Sequence, residues 1–474
     1  MPSLFSGINV ALRSLMAQQE AMTVIEHNVA NANTPGYHRQ EAVLSASIPS
    51  SQAMTFGSGS VGQFGTGVMI EKIQRFAQNF MDVRYRETVS ESSRWTLQSD
   101  ILSQVESVLS ETSKDGLTTK LDQFWNSWQA LSGDPTNPTL KATVLSNAQS
   151  LASAINQRSG SLYQLRYDQN LTFKQSADEV NDIASQIATL NEEISHAQSI
   201  NQAPNDLLDK RDQLLDRLSE LTGAVSFLQE NGEVIVSING HALVNGHSTF
   251  KLVVDSNQPM AAVKWEDGQT FTASTGEMAA LLDVRDGVIV DMTNALDNLA
   301  YNLVQAVNQI HNPDPATAPS DPPYAAAGMD FFQPLTTVTG AAGSLKVNPA
   351  METLSNIMGA SAAYPGNGDI ALSIANLRSA TQTALDGMSF NSFYTKSVAS
   401  LALETKNAEA YASNAKNVAG AIKTSRDSYS GVSLDEEAAN MIKTQRAYQA
   451  AARMVNVMDE MLDTIINGMG LVGR

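Results

Sequence analysis

Few residues in this chain are spaced for catalysis. Six histidines are scattered, and none stands four residues from another, so the helical His pair of a zinc protease is missing. There is no G-x-S-x-G nucleophile turn and no Walker-type phosphate loop. Gly57-Ser-Gly-Ser-Val-Gly62 fits the dinucleotide pattern G-x-G-x-x-G. No apolar strand precedes it, and Gly65 and Gly67 fall where a helix should open, so it reads as a loop. His241 and His247 sit in or beside turns without further ligands in view. The block Asn205-Asp-Leu-Leu-Asp-Lys-Arg-Asp212, with Asp216 and Arg217 beyond it, offers carboxylates for a metal. Its charges alternate, which favours a solvated helix face laced by i,i+4 pairs among Lys210, Arg211, Asp212, Asp216 and Arg217. Trp125 and Trp128 share a face with Leu121 and Leu131, so they read as core, not as a ligand platform. No catalytic residue, cofactor or metal site is expected. A carboxylate pair brought together only by folding stays open.

Composition narrows the class. The 474 residues carry 49 acidic against 30 basic side chains, a net charge of −19. A nucleic-acid binder more often has the opposite sign or a basic patch. No cysteine is present, so disulfides and thiolate sites are excluded. No stretch approaches the length of a transmembrane helix. Arg13 is the lone cation of the first thirty residues, and no continuous apolar run follows it. An ordinary secretory signal peptide is therefore not expected. Aromatics make up only 6% of the chain, which suits long helices.

Two elements organise the rest. Leu4, Ile8, Ala11, Leu15, Gln18, Met22, Ile25 and Val29 step by four and three, a heptad seam. Met441, Thr444, Tyr448, Ala451, Val455, Met458, Leu462, Ile465 and Met469 do the same near the other end. At 1.5 Å per residue the seams are roughly 38 and 42 Å long. Such stripes pair with each other or with neighbouring copies; two ordinary core-facing helices are the plainer alternative. The first helix runs to about Asn31 and opens near Ser3 or Pro2. Pro35 and Gly36 then stop it, followed by an exposed Tyr37. The last helix opens with a capping box, Ser433-Leu-Asp-Glu436.

Between them, residues 46–74 read as a linker with a short strand. Helical periods cover 75–222, 276–311 and 371–430, with Asn205 or Asp206 as a cap near the third break. Residues 223–275 alternate with period two between Asn-Gly and Asp-Gly turns, which predicts a β domain. Residues 312–370 show no period, and their fold is left open. The fold class expected is mainly α with a small all-β insertion. It is elongated, with the ends (1–45 and 431–474) paired as a coiled-coil-like domain, a long helical rod domain, and an outer β domain.

Asn31-Ala-Asn33-Thr34-Pro35-Gly36-Tyr37, closing a heptad-bearing first helix, resembles the signature shared by bacterial flagellar rod, hook and hook-associated proteins. Gly431 to Asn440 and Gln445 to Arg453 resemble the C-terminal signature of the same axial proteins. The Asn205–Asp212 block and the stretch from Leu281 to His311 are more specifically similar to the flagellar hook-associated protein 1 family, usually called FlgK. The resemblance implies a non-enzymatic adaptor, polymerised as a homo-oligomer ring, between hook and filament. It implies as partners the hook protein, a second junction protein or flagellin, and a FlgN-type export chaperone at the C-terminal end. It implies an extracellular place on the flagellum, reached by type III export without a cleaved signal. It does not imply nucleic-acid binding or membrane insertion. The seam positions Leu4, Ile8, Leu15, Met22, Ile25 and Val29, with Met441, Tyr448, Val455, Met458, Leu462 and Ile465, are then the assembly residues. Weak seams of this kind are expected to fold on assembly. Arg446 and Arg453, seven apart, read equally as surface charge or as a pairing site across subunits. A hook or rod subunit, or an axial scaffold carrying an adhesin or enzyme insertion, are the rival readings.

Overall fold

The computed structural model describes residues 4–48, 65–109, 116–255, 260–312, 329–361 and 367–468. The glycine pattern at 57–62, the residues proposed to open the first helix, and Met469 lie outside them, as do the side chains of residues 4–6. In chain order the elements are α1 (Leu4–Ala30), β1 (Gln40–Ala46), β2 (Val68–Arg75), α2 (Asn79–Leu109), α3 (Leu117–Gly133), α4 (Pro138–Ser199) and α5 (Asn205–Thr222). Then come β3 (Val225–Leu228), β4 (Val234–Ile238), β5 (His241–Asn245), β6 (Ser248–Thr249), β7 (Leu252–Asp255) and β8 (Ala262–Trp265). They are followed by α6 (Glu277–Leu282), a π-helical turn, α7 (Ile289–His311), α8 (Ala341–Ser344), α9 (Asp369–Asn376), α10 (Phe390–Ser430) and α11 (Leu434–Asp463). The fold is mainly α with small antiparallel sheets.

Two compact units divide the chain: Met1–Val89, Val180–Lys251 and Asn417–Arg474 form the first, and Ser90–Glu179 with Leu252–Lys416 the second. In the first, α1 packs along α11 and against the β1–β2 hairpin. β3 to β6 form one sheet in sequence order. Its register places Val236 opposite both Ser226 and Val244. Val234, Val236 and Ile238 alternate into the core, as period two demands. β7 and β8 form a separate hairpin in the second unit.

The second unit is built on α3. Phe124, Trp125 and Trp128 are fully buried there, and Phe331 and Phe332 pack on them. The segment without a sequence period therefore contributes to the core among its described residues, through an apolar pair too short to show a period. Trp125 donates to Asn391 at 3.1 Å.

His311 closes this cluster against Trp128 and Phe331. Its Nδ1 lies 3.0 Å from the Met329 carbonyl, and its Nε2 accepts from the Met358 N–H at 3.0 Å. That pair of contacts needs the neutral ring. Burial pulls the imidazole down from 6.5 to about 4. Its contribution to stability is thus complete above pH 6.5 and is lost as the pH falls towards 4, amounting to about 3 kcal/mol. In NMR titration the His311 ring is expected to stay neutral at pH 5; protonation near 6.5 would refute this.

Candidate assembly site at the base of the terminal helices

α1 and α11 run antiparallel in the first unit. The Met458 methyl lies over Gly7, where a Cβ would stand 2.7 Å from it, and at the other end Asn28 donates to Glu437 at 3.0 Å. Ile8, Leu15 and Met22 are half-buried, Ile25 is buried, and Val29 is exposed. On α11, Met441, Tyr448, Val455, Met458 and Leu462 are half-buried, while Ile465 is exposed. A second stripe on α1, formed by Ala17, Ala21, Val24 and Asn28, is more deeply buried than the first. The β1–β2 hairpin explains it, because α1 packs on the hairpin as well as on α11. The α1 helix thus has two faces to cover, and alanines on the second carried too little hydrophobic signal to mark it.

The turn after α1 is fastened at every side. Thr34 donates to the Asn31 side chain at 3.2 Å, and Asn31 to the His27 carbonyl at 3.1 Å. Gly36 has φ +72°, a left-handed conformation, and a Cβ there would meet the Gln213 side chain at 2.5 Å, so glycine is required on both counts. Gln213 donates to the Pro35 carbonyl at 2.6 Å. Asn33, Thr34 and Pro35 are exposed. Tyr37 is not the exposed residue its turn context suggests. It is half-buried, and its hydroxyl donates to Asn28 at 2.8 Å and sits 3.0 Å from His27 Nδ1. Burial, and then the carboxylates of Asp206, Asp209 and Glu437, push the phenol well above its ordinary value. It stays neutral and acts as a donor. Tyr37→Phe is expected to cost about 1 kcal/mol in urea unfolding, because Asn28 keeps the Gln40 N–H at 3.0 Å.

Asn28 is fully buried and satisfied on both sides. Its amide donates to the Gln40 carbonyl at 2.8 Å as well as to Glu437. Glu437, 1% exposed, also accepts from Arg39 Nε at 2.9 Å. Arg39 reaches Glu436 at 3.1 Å. Ser433 caps α11 by accepting from the Glu436 N–H, as the capping box predicts.

The charged face of α5 is a correction to the sequence reading. Asp209, Asp212 and Asp216 are spaced three and four apart and share one stripe, but that stripe is covered, not solvated. His38 Nδ1 lies 2.7 Å from Asp209 Oδ1, and Arg75 Nε 3.0 Å from the same oxygen, with both residues' side chains below 10% exposure. Arg75 also pairs with Asp212. Arg86 bridges Asp212 at 3.0 Å and Asp216 at 2.8 Å. Arg426 holds Asp216 at 2.7 Å and stacks over Tyr85 at 3.9 Å. Arg211 is buried as well, donating to Asn191 and to the Gly232 carbonyl. Burial, joined by the nearby charges of Arg75 and Arg86, outweighs Asp212 and lowers its guanidinium to about 10. Nor does a side chain of Asn205 or Asp206 cap α5. Pro204 precedes the helix, and Asn205 donates to Gln40.

The carboxylates face arginines from other segments, so no metal is needed to neutralise them. Among the described residues no cluster of His, Asp and Glu is arranged to hold a metal ion. No described helix is long and apolar enough to cross a membrane. Arg446 and Arg453 are both exposed.

Three family models match. Residues 102–319 match the flagellar hook-associated protein FlgK helical domain. Residues 424–468 match the flagellar basal body rod FlgEFG protein C-terminal family, and residues 8–38 the flagella basal body rod protein family. The flagellar hook-associated protein 1 of Bacillus subtilis is 31% identical over the whole of both chains. That of Escherichia coli is 25% identical over 98% of this chain and 99% of its own. The solved flagellar hook junction protein FlgK from Burkholderia pseudomallei aligns over 48% of this chain and 44% of its own, at 26% identity and a TM-score of 0.45.

Proposed function

The chain belongs to the flagellar hook-associated protein 1 family, and we propose that it works without catalysis, as copies polymerised in a ring at the hook tip that join hook to filament. The observation that carries this is the state of the terminal helices. α1 and α11 pair, yet Leu12 and Met16 on one, and Ile442, Met454, Val457 and Met461 on the other, remain exposed. Further copies would cover such apolar rows. The ends fold fully only on assembly, which keeps the chain soluble and exportable beforehand. The hook protein lies on one side, and a second junction protein or flagellin on the other. A FlgN-type chaperone holds the C-terminal end before type III export. The paired helices, with the signature turn at their base, form the end domain.

Deleting the gene tests the reading. Bare hooks with flagellin shed into the medium are expected under the electron microscope. Cells without hooks would make the chain a rod or hook subunit. Normal filaments would overturn the junction role.

A further inference from the structure

Heptad seams are periodic, and so leave their own register undetermined: a slide of seven residues, about 10 Å, again sets seam against seam. The α1–α11 pair is especially exposed to this, because Ala11, Gln18, Thr444 and Ala451 supply little shape to choose between registers. Yet its two ends agree on one. Asn28 lies 21 residues beyond Gly7, and Glu437 lies 21 before Met458. We propose that Glu437, held by Asn28 and Arg39, is the positioning residue that sets the register of α1 against α11.

The chemistry is that of a buried charge with a single home. In the observed register both Glu437 oxygens are used, Oε2 by the Asn28 amide and Oε1 by the Arg39 guanidinium. Slide α11 one heptad towards the middle of α1, and Glu437 faces Ala21, which offers no donor, while Asn28 loses its carboxylate. In the opposite slide Glu437 passes the end of α1 and faces Pro35, which has no N–H. A buried carboxylate stripped of its partners lowers the population of either slipped state by about a hundredfold or more. One buried polar group choosing among apolar registers is the best-attested use of such groups. This rests on the assembly reading above in its consequence: copies sharing one register present identical rows to their neighbours.

The chain has no cysteine, so introduced pairs report without background. Three double variants of the full chain are compared: Gly7→Cys with Met458→Cys for the observed register, and Gly7→Cys with Ala451→Cys or Ile465→Cys for the slipped ones. With Glu437 present, only the first pair is expected to form a disulfide readily. With Glu437→Leu, the Ala451 or Ile465 pairing should rise at least tenfold at the expense of the first, and Glu437→Gln, which keeps the shape, should fall between. Exclusive crosslinking to position 458 in Glu437→Leu would overturn the proposal. Loss of every crosslink in both Glu437 variants would overturn it too, since the cluster would then hold the helices together without choosing their register. The readout uses the purified chain, so failure of the junction role would leave it unchanged.

Discussion

Arg86→Met is expected to destabilise the first unit by about 3 kcal/mol, the largest single effect at the charged face of α5. Arg86 is 7% exposed and spans two carboxylates, Asp212 through one nitrogen and Asp216 through another. Removing it leaves both carboxylates covered, with one arginine each, Arg75 and Arg426. Those survivors keep the loss at the lower end for a broken buried pair. Arg86→Lys should recover less than half, because an ammonium is a point charge that cannot fork between Asp212 and Asp216. All four tryptophans, at 95, 125, 128 and 265, fall in the second unit. Urea unfolding followed by circular dichroism should therefore shift for Arg86→Met while tryptophan fluorescence does not. Equal stability of Arg86→Lys and the parent would show that charge alone, not the fork, holds the stripe.

The same stripe gives the first unit an acid limit. Burial alone would push the Asp212 carboxyl up, but Arg75 and Arg86 outweigh it and hold the group below its ordinary value. That contribution is present above the ordinary carboxylate pKa and is lost as the pH falls through the folded one. Asp82 works the other way. Burial, and then Asp212, raise it above its ordinary value, so protonating it relieves strain that the ionised form imposes.

The helices were legible because long periodic stretches leave a trace at every third or fourth residue. α3 is the clearest case: the spacing of Leu121, Phe124, Trp125, Trp128 and Leu131 is enough to define one apolar face, and all five are buried. The long stretch of small residues in α10 is different. Phe390, Tyr394, Leu401, Thr405, Ala408, Ala419 and Ser430 are its buried positions, separated by sums of threes and fours, but alanine, serine and threonine weigh little on any hydrophobic scale. The base of the terminal helices was legible only in part. The Asn31–Tyr37 turn announces itself by Pro35 and Gly36. Gln213, which holds Pro35 of this turn, and Asp209, which holds His38 just after it, lie some 170 residues away, and Glu437, which holds Arg39, some 400. No local pattern links residues so far apart. What the charges of α5 did offer was spacing: Asp209, Asp212 and Asp216 on one stripe, with Lys210 pointing elsewhere. Three acids on one face without a base among them ask for cations from outside the helix, and Arg75, Arg86 and Arg426 are those cations.

Ile25→Asp and Leu462→Asp should each abolish incorporation into the flagellum while leaving the second unit folded. Ile25 is buried where α1 meets α11, and Leu462 is half-covered near the far end of α11. An aspartate at either place puts an unpaired charge in an apolar seam, which costs several kcal/mol when desolvated. In the isolated chain Leu462→Asp can turn towards water, so its urea midpoint should move little. In the assembled ring neighbouring copies would close over the seam and remove that escape. The two variants therefore separate folding from assembly: Ile25→Asp should weaken the first unit and the assembly, Leu462→Asp the assembly alone. In cells lacking the native gene, either variant should give bare hooks and flagellin in the medium, with tryptophan fluorescence of the purified proteins unchanged. Filaments of normal length from either would mean that the terminal seams do not close on assembly, and the idea that the ends finish folding in the ring would fall with them.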